Sequence, residues 1–185
     1  MRILFPIPLP QYWYSANQLN DHVTDPLLVD WIASLGSLTV RIKELGIAFN
    51  LEVLNQCQQD LSSQFKHVID TQDSQALFRE VLLKQGERPL VYAQTIMPES
   101  TLAGAGQSLS QLGNQSLGQV LFQSPQAIRG NIEFTEVKPG SELGQYIAMQ
   151  LGQPMTQICY MRRSLFHLNH KPLLVCECFL PALFQ

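Results

Sequence analysis

The amino-acid sequence predicts an α+β fold, an antiparallel sheet with helices on one face, and three observations carry that expectation. Strand-like segments outnumber helical ones, and the turns between them are short and polar. One strand–turn–strand unit occurs twice: 79-REVLLKQGERPLVYAQTIMP-98 aligns without a gap on 162-RRSLFHLNHKPLLVCECFLP-181, sharing Arg, Leu, Pro-Leu and a final Pro. In each unit a proline opens the returning strand, where its missing N–H can face an edge or a turn. Hairpins of this kind pair antiparallel.

The chain of 185 residues is 45% hydrophobic and 15% charged, which suits one sizeable core and is short for two. Residues 1–24 read as an N-terminal arm and 25–185 as a single domain. The start, MRILFPIPLPQYW, is broken by Pro6, Pro8 and Pro10, unlike a signal peptide or anchor. No stretch reaches the ~18 consecutive apolar residues that span a bilayer. A formal charge of −3 and a pI near 5.8, with no run of Lys or Arg, argue against nucleic acid and membrane surfaces as partners. Cys57, Cys159, Cys176 and Cys178 are too few and too irregular for a disulfide scaffold. Cys176 and Cys178 lack a second pair at ligand spacing, so no metal is expected; they read as reduced core thiols of a soluble cytoplasmic protein.

Along the chain, Asp25-Pro26 is an N-cap followed by an N1 proline, and Leu27, Leu28, Trp31, Ile32 and Leu35 continue at helical spacing, predicting a helix over 26–35. Ser37 caps a second helix over 38–45, with Gly46 as its stop. Ile47, Phe49, Leu51 and Val53 alternate with polar residues as a half-buried strand does. The Gln- and Asp-rich stretch 55–75 reads as loop with one helical turn. Residues 98–125 carry Gly104, Gly106, Gly113 and Gly118 among scattered leucines, the texture of short helices joined by flexible turns, which serves lids and plain connections alike. A strand over 128–137 and a helix over 141–151 precede the second hairpin.

That hairpin contains 172-PLLVCECFLP-181. Leu173, Val175, Glu177 and Phe179 share one face of a strand while Leu174, Cys176, Cys178 and Leu180 share the other. Both faces are apolar, so Glu177 needs a cation and hydrogen bonds, or it has work to do. In the repeat Glu177 falls at Gln94 and Arg162 at Arg79, which suits the polar floor of a pocket. A structural ion pair of Glu177 with Arg79 or Arg162 suits it equally. His67, His167 and His170 sit in loop or turn with no Ser-His-Asp constellation and receive no role. Trp13 and Trp31 read as packing anchors.

The segments 78-FREVLL-83, 93-AQTIMP-98, 112-LGNQSLGQVLF-122 and 171-KPLLVCECFLP-181, with the upstream 31-WIASLGSLTVRIKE-44, resemble the bacterial chorismate pyruvate-lyases, in the same order and over most of 27–183. The resemblance implies a monomeric chorismate lyase-like α+β domain with its product buried under helix–turn–helix flaps. It implies conversion of chorismate to 4-hydroxybenzoate and pyruvate for ubiquinone biosynthesis, with neither metal nor organic cofactor. Carried over by position, Arg79 holds the ring carboxylate, Glu177 faces the ring hydroxyl, and Leu117 and Leu38 touch the ring or its substituents. Leu38 stands where the family often has Met. Gln94 stands where the family usually has an arginine, in a strand reading A-G-R-T. The enolpyruvyl carboxylate would then meet a neutral group, with Arg162, Arg163 or Arg41 as candidates to replace the charge. Residues 133–158 form a longer segment than in the best-known members and resemble the ligand-binding domain of GntR-type regulators, which shares the fold. A non-catalytic effector-binding domain is therefore the alternative; the joint presence of Arg79, Leu117 and Glu177, and the lack of a winged helix before residue 25, favour the enzyme.

Overall fold

Period-two alternation builds most of the molecule. The computed structural model describes residues 4–46 and 48–185, the side chain of Ala105 excepted; residues 1–3 of the proline-broken start and Ile47 of the expected strand lie outside the described residues. The strands are β1 (Tyr14–Ser15), β2 (Phe49–Asp60), β3 (Gln75–Gln85), β4 (Arg88–Pro98), β5 (Ala127–Val137), β6 (Cys159–Leu168) and β7 (Lys171–Phe179). They form one sheet in the order β1-β5-β6-β7-β4-β3-β2, with every pair antiparallel. The two repeated hairpins, β3–β4 and β6–β7, lie side by side at its centre through the β4–β7 pairing.

The two hairpins are not in the same register. Arg162 lies opposite Glu177, whereas Arg79 lies opposite Thr95, because an irregularity after Leu83 places one extra residue in β4. One inserted residue turns every later side chain of a strand to the other face. Gln94 therefore does not share a face with Glu177, as the gapless repeat suggested; Ala93 is the residue opposite Glu177. The turns differ in kind as well. Asn169 and His170 both take positive φ, the pattern of a two-residue type I′ turn.

Between the strands run α1 (Leu19–His22), α2 (Pro26–Ala33), α3 (Leu38–Glu44), α4 (Ser63–Ile69), α5 (Glu99–Leu102), α6 (Leu117–Gln123) and α7 (Glu142–Met149), with a 3-10 segment over Gly104–Gln111. The caps read from sequence are in place: Asp25 accepts from the Leu27 N–H, and Ser141 accepts from the Gly144 N–H. Ser37 precedes α3 as expected, yet its hydroxyl makes no capping bond.

Two expectations need correction. The stretch 55–75 is not loop: β2 runs on to Asp60 and α4 follows. β2 is the edge strand of the sheet, and its outer half is mostly exposed, so glutamines replace the apolar alternation that would have marked it. Nor are the helices confined to one face. α2, α3 and α6 pack on the face that carries Val81, Ala93, Val175 and Phe179. On the reverse face, residues of α4 and α7 pack against Tyr92, Met161, Cys176 and Cys178 together with Ile7 from the arm. The central strands are apolar on both sides, and each side needs cover.

The reverse face holds the cysteines in apolar surroundings. Burial pushes the Cys159 thiol up to about 11 and those of Cys176 and Cys178 higher still. All four cysteines are unpaired. Among the described residues no three His, Cys, Asp or Glu side chains converge as metal ligands, and no helix is long and apolar enough to cross a membrane.

Gln94 belongs to a buried network on this reverse face. The Glu80 carboxylate, fully enclosed, accepts from the Ile7 N–H (2.8 Å), the Asn55 amide (3.1 Å), the Gln94 amide (3.2 Å) and the Tyr92 hydroxyl. Gln94 also donates to the Ile7 carbonyl at 2.9 Å. Burial first, and Glu80 second, hold the Tyr92 hydroxyl well above its ordinary pKa. Neutral donors alone satisfy the carboxylate and stitch the arm to the sheet.

Gln94→Leu should therefore act on stability. It leaves the Ile7 carbonyl and part of the Glu80 carboxylate without a donor, at a cost of about 1–3 kcal/mol. A thermal melt should show the midpoint falling by several degrees; an unchanged midpoint would remove Gln94 from the network.

Candidate active site

Across the centre of the helix-covered face runs a row of paired residues, Arg79 on β3, Thr95 on β4, Val175 on β7 and Ser164 on β6. The next row along carries Val81, Ala93, Glu177 and Arg162. Arg79 and Glu177 thus stand two strands apart, about 10 Å, and one two-residue step apart, about 7 Å. Between them the floor is made of small side chains. Ala93, Thr95 and Val175 keep 8%, 5% and 8% of their surface accessible, while Tyr92 and Ile96 on the reverse face keep none. Long polar side chains thus rise at the two ends of a floor of short ones.

The apolar packing has the same shape. On this face the buried side chains form two clusters, one around Trp31, Leu38, Ile42 and Phe179, the other around Met97, Leu109, Leu117 and Val175. Arg79, Thr95, Ser164 and Glu177 lie along the seam between them. Four polar groups spread over two adjacent rows would waste burial if the seam were only core.

Arg79 is 2% exposed and carries a charge with no carboxylate within 4 Å among the described residues. One terminal nitrogen donates to the carbonyls of Gly113 (2.7 Å) and Gln115 (3.2 Å), and its Nε is buried without a partner. Gly113 adopts φ +52, which glycine takes at little cost, and the chain reverses there so that both carbonyls meet the guanidinium. Burial lowers the Arg79 pKa. Carbonyl dipoles do not neutralise an enclosed cation, so the site is short of one anion.

Glu177 has found a cation. Its Oε2 accepts from Arg162 Nε at 2.7 Å, and Arg162 in turn donates to the carbonyls of Trp31 (3.3 Å), Ile32 (3.2 Å) and Ser34 (2.7 Å). Those carbonyls close the C-terminal end of α2, where the helix dipole favours a cation. Of the two partners the sequence offered, Arg162 is the one used. The pair engages a single carboxylate oxygen and fixes its direction; the side chain keeps 15% of its surface, which leaves the other oxygen free to accept.

The cover over the seam includes α3 and α6, which are tied to each other. Thr39 in α3 and Ser116 before α6 share a hydrogen bond of 2.6 Å between their hydroxyls, both buried. Ser116 also caps α6 through the Gln119 N–H. Lys43 to Gln119 (3.3 Å) adds an outer tie. Leu38 and Leu117 are the first residues of α3 and α6, and both are buried. The hydroxyl of Ser37, just before Leu38, is buried without a partner.

Arg79 and Glu177 rise from the helix-covered face, Leu38 and Leu117 lie in the helices that cover it, and Gln94 stands on the reverse face. Of the arginines offered as substitutes, Arg41 pairs with Asp30 at the surface and lies over Trp31, and Arg163 pairs with Glu133 on the reverse face and stacks on Trp13. Neither reaches the seam. The sequence reading missed Thr95, Ser116 and Thr39, which only the true register and the meeting of two distant helices reveal. A separate surface cavity of about 320 Å³ opens between Leu28, Gln157, Tyr160 and Phe184, away from these groups.

Comparison with known proteins finds relatives over nearly the whole chain. The family described as chorismate lyase matches residues 9–185. A probable chorismate pyruvate-lyase of Pseudoalteromonas translucida is 36% identical over 182 residues, covering 98% of both chains. One of Psychromonas ingrahamii is 37% identical over 155 residues, covering 84% of this chain and 83% of its own. Among solved structures, PhnF of Mycobacterium smegmatis overlays with a TM-score of 0.60 at 13% identity, covering 80% of this chain and 65% of that one. Its effector domain gives 0.58 at 13%, covering 80% and 90%. At such identity these structures share the fold, nothing more.

Ser116→Ala removes both the cap of α6 and the tie to α3, a loss of about 1–2 kcal/mol. Amide hydrogen exchange should quicken over residues 38–44 and 113–123 while β4 and β7 stay protected. Unchanged exchange in both segments would mean that the hydroxyl pair does not hold the cover shut.

Proposed function

This chain belongs to the chorismate lyase family, and on that premise we propose that the seam between its two apolar clusters binds chorismate and converts it to 4-hydroxybenzoate and pyruvate. The single observation that carries the reading is Arg79, an enclosed guanidinium lacking an anion, two strands and one two-residue step from Glu177. Chorismate brings a carboxylate on a cyclohexadiene ring, and a planar guanidinium takes a carboxylate two bonds at a time. Glu177, held from behind by Arg162, stands at the other end of the floor and accepts the ring hydroxyl, which is para to that carboxylate. Leu38 and Leu117 close on the ring faces.

The chemistry asks little more. The C3–O bond breaks with its electron pair on the enolpyruvyl oxygen, and C4 loses its proton, whose bonding pair completes the aromatic ring. The enolpyruvate takes up a proton and becomes pyruvate, so atoms balance without water or an oxidant. Aromaticity supplies the driving force, and the protein supplies orientation, a shielded site and charges placed where charge develops. A monomer is the state the family resemblance implies. A cytoplasmic enzyme whose product enters ubiquinone biosynthesis is the setting the family resemblance implies. The fold shared with an effector domain supports a second reading, a binder without turnover.

Purified protein given chorismate should form 4-hydroxybenzoate and pyruvate in equal amounts, at a rate that EDTA leaves unchanged. Tight binding with no product would favour the effector-type reading. Arg79→Ala should weaken 4-hydroxybenzoate binding by about 2–5 kcal/mol in calorimetry; equal affinity would make Arg79 a structural partner of the 113–115 loop.

Glu177→Gln separates the two roles of the glutamate. Glutamine can still accept from Arg162 Nε, and Arg162 keeps its three carbonyls, so the variant should fold with a modest loss of stability. Its kcat should drop ~100-fold. A variant that melts far earlier yet keeps full kcat at low temperature would confine Glu177 to holding β6 against β7.

A further inference from the structure

Chorismate carries two carboxylates, and the site as described answers one of them. With Gln94 on the reverse face, the anchor for the enolpyruvyl carboxylate has to come from elsewhere. We propose that it is Arg129, on β5, a residue the hairpin repeat does not contain. The inference rests on chorismate being the substrate.

Arg129 pairs with Phe166 and so shares the helix-covered face, immediately before the irregularity that ends at Ile132. Bulges of this sort re-aim a side chain beside a site. Its guanidinium leans from β5 over β6: Nε donates to Ser164 Oγ at 3.0 Å, and Ser164 is the last member of the row that begins at Arg79. The Phe122 and Phe166 rings, 5.9 and 5.5 Å from its carbon, flank the half-buried guanidinium. One terminal nitrogen donates to the carbonyls of Ser34 and Leu35, both at 3.2 Å. Among the described residues no carboxylate lies within 4 Å, and its second terminal nitrogen has no acceptor. Burial, and then Arg162, lower its pKa to about 10, so it stays charged at neutral pH in a place where a further anion is welcome.

Position selects the carboxylate. In chorismate the ether oxygen sits on the carbon next to the hydroxyl-bearing one, so with the ring carboxylate on Arg79 and the hydroxyl toward Glu177, the enolpyruvyl arm must leave the ring at the far end. Arg129 approaches the floor from the side opposite Arg79, on the flank of the Arg162–Glu177 pair. A cation there also meets the negative charge that develops on the departing enolate. The plain alternative is that Arg129 only closes the end of α2, but Arg162 already takes the Ser34 carbonyl at 2.7 Å.

The product has lost the enolpyruvyl arm, and that difference makes the test. Arg129→Gln should lower kcat/KM for chorismate by ~100-fold, as for a lost charge-assisted contact, while its calorimetric Kd for 4-hydroxybenzoate stays within about twofold of the parent. If Arg129→Gln does not fold, Arg129→Lys keeps the charge without the fork, and the same split between chorismate and 4-hydroxybenzoate should appear at smaller size. If the parent converts chorismate and the folded variant does so equally well, or loses grip on 4-hydroxybenzoate in parallel, the inference falls while the proposed function stands. A parent that neither binds nor converts chorismate overturns both.

Discussion

The ion pair between Arg162 and Glu177 is the interaction on which the arrangement of this protein turns. It joins neighbouring strands of the second hairpin at 2.7 Å, and through the other arm of the guanidinium it fastens the end of α2 to the sheet. A buried pair of this sort contributes little net stability, since desolvation offsets most of the attraction. What it does supply is direction. A glutamate free to turn about its side-chain torsions becomes one with a fixed carboxylate direction, and the end of α2, from which the chain passes into α3, is held against β6. The sequence reading treated structural pair and functional group as rivals, and the geometry allows one residue to be both.

Around that pair, charge is distributed unevenly in a consistent way. On the reverse face Glu80 is an enclosed anion satisfied by neutral donors, and on the helix-covered face Arg79 and Arg129 are cations satisfied in part by carbonyls. The first is complete and holds the arm; the others have donors to spare. What sets these cations apart from Glu80 is unused hydrogen-bonding capacity, the ground on which a binding role is proposed for them.

Much of this was legible in the sequence because hairpins and caps are local. The β6–β7 strand alternation, the Asp25 and Ser141 caps and the short-helix texture of 98–125 are set by neighbours within a few residues. The faces of β4 were not legible, since one extra residue after Leu83 leaves no compositional trace and yet moves Gln94 across the sheet. β2 beyond Val53 escaped because an edge strand with water on one side has little reason to be apolar. Of the site, Arg79, Leu38, Leu117 and Glu177 came from family resemblance, which position alone could carry. Thr39 and Ser116, 77 residues apart, meet only in the folded chain. Arg129 gave no sign: it precedes Gly130 and Asn131 in a strand whose period breaks at that point, and nothing in the chain repeats it.

The polar character of β2 has a bearing on the fate of the protein at high concentration. A twelve-residue strand with one side unpaired is a template onto which another chain can add by backbone hydrogen bonds, and a run such as Asn55-Gln56-Cys57-Gln58-Gln59 is chemically suited to stacking with copies of itself. Glu52 and Asp60 flank that run with like charge, and three of its glutamines are already engaged, by the Ser110 carbonyl, Glu99 and the Phe5 carbonyl. The same side chains that hid the strand from a hydrophobic reading thus act as gatekeepers against fibrillar self-association.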